Sequence, residues 1–257
     1  KNLIEYQIEK KVSGIVPMGT TGESPTLSHK EHDEVIEKVV EWVDGRCQVI
    51  AGTGSNSTSE AIRLSKHAEE AGADACLVVN PYYNKPTQEG LYRHFKAVAD
   101  AVKIPIVVYN IKGRTAVNVE TPTLMRLNKD CENIKAVKEA SGDLDQMKDV
   151  IAKAPSEFDV LSGDDNITLD LIKAGGKGVV SVASNMIPAK MVAMVDAALK
   201  GNYEEAEKLN EEMALFFEGE FIETNPIPIK AALAMKGLCE EVYRLPMCEM
   251  SAKNREK

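Results

Sequence analysis

Lys138 ends a short, mostly apolar run, Ile134-Lys135-Ala136-Val137-Lys138. If that run is a strand, its period of two puts Ile134, Ala136 and Lys138 on one face, with the lysine last. Burial there disfavours the ammonium and lowers its pKa. A neutral amine can then attack a carbonyl and form a Schiff base. Holding an ordinary lysine neutral at pH 7 costs about 4–5 kcal/mol, so the surroundings must supply that much. The plainer reading is a lysine reaching solvent or paired with Glu139. Tyr109 ends another such run, with Val107 on its face. Its phenol could pass protons to and from an imine, or simply pack. Gly19-Thr20-Thr21-Gly22 offers hydroxyls and backbone N–H groups suited to a carboxylate. Arg114 offers a bidentate fork for a second one. Each feature alone is weak. Lysine, phenol, paired threonines and arginine together carry a signal if the fold gathers them.

The elements that would gather them alternate along the chain. Strands are expected at Gly14–Met18, Gln48–Ala51, Ala75–Val79, Ile104–Tyr109, Ile134–Lys138, Phe158–Leu161 and Gly178–Val182, separated by stretches of helical length. None alternates cleanly between polar and apolar, as in a parallel sheet covered on both faces. Ser28-His29-Lys30-Glu31 and Ser57-Thr58-Ser59-Glu60 read as capping boxes, and Thr121-Pro122 as a cap before a first-turn proline. The rhythm stops after the seventh strand, where Pro188–Lys200, Asn202–Phe217 and a stretch from Pro226 read as three helices. The expected fold class is α/β, a TIM (β/α)8 barrel over 1–185 with a C-terminal helical extension over 186–257. A doubly wound sheet is the alternative, but no GxGxxG follows the first strand. In a barrel the active site lies at the C-terminal ends of the strands, where all the residues above fall. Gly175-Gly176-Lys177-Gly178 precedes a strand and reads as a tight turn at the other end.

Seven strands are one short of a closed barrel. The chain opens at Lys1 with an amphipathic helix, Lys1–Lys11, that presents Leu3, Ile4, Ile8 and Val12. A first strand before it is expected to be missing, the sequence being part of a longer product. The 257 residues carry a net charge of −9, which disfavours nucleic acid as a partner. No apolar run is long enough to span a bilayer, and no secretory signal opens the chain. Cys47, Cys76, Cys131, Cys239 and Cys248 are odd in number and form no CxxC pair, the pattern of reduced cytoplasmic thiols. His29 and His32 have helical spacing but no further ligands nearby, so no metal is expected.

Six motifs in order, Gly19-Thr20-Thr21-Gly22-Glu23-Ser24, Pro81-Tyr82-Tyr83-Asn84-Lys85-Pro86, Tyr109-Asn110 with Arg114-Thr115, Lys138-Glu139-Ala140-Ser141-Gly142, Ser162-Gly163-Asp164-Asp165 and Glu223-Thr224-Asn225-Pro226-Ile227-Pro228, resemble the 4-hydroxy-tetrahydrodipicolinate synthase (dihydrodipicolinate synthase) family. That family belongs to the pyruvate-dependent class I aldolases, with N-acetylneuraminate lyase. The resemblance spans essentially the whole chain. It implies a lyase that condenses pyruvate with L-aspartate 4-semialdehyde, in lysine and diaminopimelate synthesis, without a cofactor. By resemblance Lys138 forms the Schiff base, and Tyr109, Thr21 and a Tyr83 reaching in from a neighbouring subunit form a proton relay. Thr20 and Thr21 hold the pyruvate carboxylate, Arg114 holds that of the aldehyde, and carbonyls of Gly163 and Val180 line the site. Ser24, Leu27, His29, His32, Asn56, Glu60 and Tyr82 match an allosteric lysine site, and the assembly implied is a homotetramer, a dimer of dimers.

Asn56 and Glu60, one helical turn apart, could face a common ligand, although a capping box with Ser57 would also explain Glu60. Where the family usually has Pro, two residues after Tyr109-Asn110, this chain has Lys112, which frees φ and adds charge near Arg114. The nearest alternative is another pyruvate-dependent aldolase acting on a keto-sugar acid. A more distant one is a catalytically silent lysine-binding barrel.

Overall fold

The computed structural model describes residues 1–257. Seven strands form one parallel sheet in sequential order: β1 (Gly14–Ile15), β2 (Gln48–Gly52), β3 (Ala75–Val79), β4 (Ile106–Asn110), β5 (Ile134–Glu139), β6 (Asp159–Ser162) and β7 (Gly178–Val179). The sheet curls as in a TIM-like barrel and leaves β1 and β7 as its edges. The helix before β1, α1 (Asn2–Glu9), bridges those edges: the Tyr6 hydroxyl donates to the Met186 carbonyl at 3.1 Å and the Gln7 amide to that of Ser184 at 3.0 Å. The first and last strands are shorter than their apolar runs, because Val16–Met18 and Val180–Val182 turn away into loops.

Helices α2 (His29–Val43), α3 (Thr58–Glu70), α4 (Gln88–Ala99), α5 (Lys112–Thr115), α6 (Thr121–Asp130), α7 (Leu144–Lys153) and α8 (Thr168–Lys173) follow the strands in turn. Then come α9 (Pro188–Leu199), α10 (Tyr203–Gly219), α11 (Ile227–Met235) and α12 (Ala252–Arg255). The α9 helix packs on β7, α8 and α10. No helix is long and apolar enough to cross a membrane.

Start signals explain some of these ends and not others. Ser28 and Glu31 make the full capping box on α2. The second box is absent: Ser57 precedes α3 without a side-chain cap, and Glu60 turns instead to Ser55 and His29. Thr121 is already helical, with Glu120 at the cap position.

Strand residues of one parity (Cys76, Val78, Ile106, Val108, Val137, Val160) pack outward under the helices in the main core. Those of the other parity (Leu77, Val107, Tyr109, Ala136) fill the inside of the curl. Ile134 departs from its predicted face. It packs in the outer core with Ile106, because the register between β4 and β5 shifts between Ile106 and Val107. An irregularity of this kind resets the period of two, so Ala136 and Lys138 point inward while Ile134 does not.

Candidate active site

At the C-terminal ends of the strands the curl encloses the upper part of a cavity of about 1250 Å³. Lys138, Tyr109, Thr20, Thr21, Arg114, Gly163 and Val180 all line it. Lys138 reaches in from β5, and its Nζ lies 4.1 Å from the centre of the Tyr109 ring on β4. Burial pushes the amine down to about 8, with Arg114 acting in the same direction and the Asp165 carboxylate opposing both. Burial pushes the Tyr109 phenol up to about 12, against smaller opposing effects of Arg114 and the Thr20 hydroxyl. A lysine that loses its proton readily thus stands beside a phenol that keeps its own.

Glu139 does not pair with Lys138. Being of opposite parity, it lies fully buried behind the sheet. It accepts from the Asn110 amide at 3.1 Å, the Ser141 N–H at 2.9 Å and the Gln146 amide at 3.2 Å. The Asn110 amide also reaches the Asn118 side chain at 2.8 Å, and the Asn118 amide reaches Gln146 at 2.7 Å. This buried polar web fixes the far end of the loop that carries Arg114. Despite Lys112, that loop forms one helical turn: the N–H groups of Arg114 and Thr115 donate to the Ile111 carbonyl at 3.2 and 3.1 Å. The turn presents Arg114 at the cavity mouth.

The strand-end glycine Gly163 has a steric reason. A Cβ there would stand 2.6 Å from the Ala140 Cβ and 3.0 Å from the Lys138 Cε, so only glycine lets the lysine stem pass. In the loop after β1, the N–H groups of Thr20 and Thr21 donate to no group of the chain, which leaves them free for an anion.

Asn225, quoted in a sequence motif but given no role there, ties two parts of the site together. Its side-chain amide donates to the Thr21 hydroxyl at 3.0 Å, and its backbone carbonyl accepts from the Arg114 guanidinium at 3.1 Å. The Thr21 hydroxyl therefore meets Asn225, and the hydroxyl beside Tyr109 is that of Thr20. Tyr83 does not line the cavity of its own chain and is 89% exposed.

Of the seven residues matched to a lysine site, all but Asn56 line the same cavity. His32 is buried, with Nε2 3.0 Å from the Gly52 carbonyl. His29 Nε2 lies 3.2 Å from Glu60. Asn56 precedes α3, so it does not share a helical face with Glu60, and its carbonyl accepts from the Asn84 amide at 2.9 Å.

A model of the dihydrodipicolinate synthetase family matches residues 1–257. The chain belongs to that family. The 4-hydroxy-tetrahydrodipicolinate synthase of Syntrophus aciditrophicus (strain SB) is 57% identical over 257 residues, all of this chain and 88% of that protein. The enzyme of the same name from Methanococcus maripaludis (strain S2) is 51% identical over the same share of each. Among solved structures, dihydrodipicolinate synthase from Aquifex aeolicus superposes with a TM-score of 0.98 at 48% identity, covering 99% of this chain and 87% of that one. The dihydrodipicolinate synthase of Cyanidioschyzon merolae, solved with lysine bound, gives 0.95 at 42% identity over 99% and 86%. These family members agree with the aldol-type site described above and not with a sugar-acid aldolase.

Proposed function

We propose that the chain is a lyase in which Lys138 condenses pyruvate with L-aspartate 4-semialdehyde through a covalent imine, without a separate cofactor. The observation that carries this reading is the Lys138 amine, pushed down to about 8 by burial, beside a protonated phenol and below an anion-binding loop. The amine attacks the keto carbon of pyruvate and water leaves, giving the imine. The imine is an electron sink, so a methyl proton departs and an enamine forms. The enamine carbon then attacks the aldehyde carbon, and the new alkoxide takes a proton from the relay. The amine of the second substrate displaces Lys138 and closes the ring of 4-hydroxy-tetrahydrodipicolinate.

Free N–H groups of Thr20 and Thr21 suit the pyruvate carboxylate. Tyr109 supplies and recovers the proton, with the Thr20 hydroxyl beside it and a Tyr83 from a second copy completing the relay in place of the Thr21 expected from the resemblance, whose hydroxyl is held by Asn225. Arg114 takes the carboxylate of the aldehyde, and the carbonyls of Gly163 and Val180 orient the bound acid. The exposure of Tyr83 supports an assembly of at least two copies, and a dimer of dimers by family. We read Ser24, Leu27, His29, His32, Asn56, Glu60 and Tyr82 as a site for lysine as inhibitor, with Glu60 suited to an ammonium group.

Borohydride reduction in the presence of pyruvate is the direct test: a mass adduct on the Lys138 peptide is expected. Its absence would sink every aldolase reading and leave a lysine-binding barrel. Arg114→Ala should still trap pyruvate but lose turnover with aspartate semialdehyde. Loss of trapping as well would show that Arg114 has the wrong role.

A further inference from the structure

Two carboxyl side chains with no place in the reaction lie buried behind the cavity wall. Asp165 begins the short turn after β6 and is 1% exposed; Glu220, just past α10, is 3% exposed. One oxygen of Asp165 accepts from the N–H groups of Val182 at 2.8 Å and Ala183 at 3.0 Å, in the loop that leaves β7. Its other oxygen and both oxygens of Glu220 find no N–H or O–H donor elsewhere in the chain. The turn that begins at Asp165 packs against α10, just past which Glu220 lies, so the two carboxyl groups adjoin. Three orphaned acceptors in so dry a place are costly. Two adjoining carboxylates there cannot both ionise. A single proton removes one of the two charges, makes one Glu220 oxygen the donor that the free Asp165 oxygen lacks, and leaves the other as a neutral carbonyl, far cheaper to bury than a charged oxygen.

We propose that Asp165 and Glu220 share one proton and act as a positioning pair for Lys138, with Glu220 donating to Asp165 and Asp165 holding the exit loop of β7. The assignment of the proton follows from the partners. Two backbone N–H groups favour the carboxylate of Asp165, whereas burial and the charge of Asp165, then that of Asp164, push the Glu220 carboxyl up to about 10. The charged or titratable groups facing Glu220 are Asp165 and Asp164, and Asp165 in turn faces Lys138.

The pair thus presents one negative charge to the lysine. That charge favours the ammonium and also the protonated imine that replaces it. A second charge, from an ionised Glu220, would hold more of the lysine as unreactive ammonium. The same proton joins the C-terminal helical layer to the loop bearing Val180, so the lysine and the Val180 carbonyl keep a fixed relation.

The inference rests on Lys138 as the imine-forming amine, and its test separates the two claims. Infrared difference spectra of the full chain at neutral pH, parent minus Glu220→Gln, should show a protonated carboxyl band belonging to Glu220. Its absence overturns the shared proton whether or not pyruvate is trapped. In borohydride trapping against pH, Asp165→Asn should move the midpoint to lower pH, because the charge that favours the ammonium is gone. Glu220→Gln should leave the midpoint at the parent's value, since a neutral amide repeats the charge of the protonated acid. A midpoint that moves down in Glu220→Gln would mean that Glu220 is ionised, and overturns the proposal. If Asp165→Asn fails to fold, the infrared band and the Glu220→Gln midpoint still decide it. A parent that traps no pyruvate refutes the function proposed above, and the infrared band then judges the pair alone.

Discussion

Replacing Gly163 by alanine would add one methyl at the narrowest point of the site. The new carbon would stand 2.6 Å from the Ala140 Cβ and 3.0 Å from the Lys138 Cε. Carbon atoms settle at about 3.5–4.0 Å, so the overlap with Ala140 is about 1 Å. Neither backbone yields easily, since the Gly163 N–H donates to the Glu139 carbonyl at 2.8 Å and the Ala140 N–H to that of Asn110 at 2.9 Å. The Lys138 stem is the softest neighbour and must move. Overpacking of this kind costs about 1–3 kcal/mol of stability. A reacting group displaced by about 1 Å costs about 10²-fold in rate. The assay is the rate of borohydride trapping at saturating pyruvate, with a thermal melt to score the fold. Gly163→Ala should fold, melt somewhat lower and trap about 10²-fold more slowly. Gly113→Ala, whose new methyl meets nothing within 4 Å, should trap like the parent. If Gly163→Ala traps as fast as the parent, the glycine is not what seats the lysine.

The remaining expectations use the same site. Lys138→Met should abolish trapping and raise stability at pH 7, because the drop from 10.5 to about 8 corresponds to about 3 kcal/mol borne by the native state. The sign follows from linkage: a depressed lysine burdens the fold fully below pH 8, and the burden fades as pH rises towards 10.5. The gain in melting temperature should therefore shrink at high pH, and no gain at pH 7 would refute the burial argument. In the parent, trapping against pH should rise to a midpoint near 8; a midpoint near the ordinary lysine value would show that the amine is solvated. Asn225→Ala should weaken pyruvate binding by about 1 kcal/mol through the freed Thr21 hydroxyl, while trapping at saturation survives because Arg114 uses the Asn225 carbonyl. Loss of trapping at saturation would assign Asn225 more than this.

The sequence alone determined the strand order, the helices between the strands and the rim on which the reactive residues stand. Apolar runs bounded by turn residues are local signals, and each strand-end residue follows from its run. Resemblance then attached chemistry to Lys138, Tyr109, Thr20, Thr21 and Arg114, and the fold brings all five to one cavity. Facing and pairing were decided only in three dimensions. Ile134 changed sides because a register shift between β4 and β5 resets the period of two, which no reading of one strand reveals. Glu139 follows Lys138 in sequence yet lies behind the sheet, since successive strand residues point to opposite faces. Glu60 left its expected cap for Ser55 and His29, since a side chain takes whichever partner the folded chain brings near. Asn225 and Glu220 lie far from Lys138 along the chain; a motif contains Asn225 without indicating its partners, and no local pattern marks Glu220. Their roles exist only because the C-terminal helices fold back over the strand ends and set an amide against Thr21 and a carboxyl against Asp165.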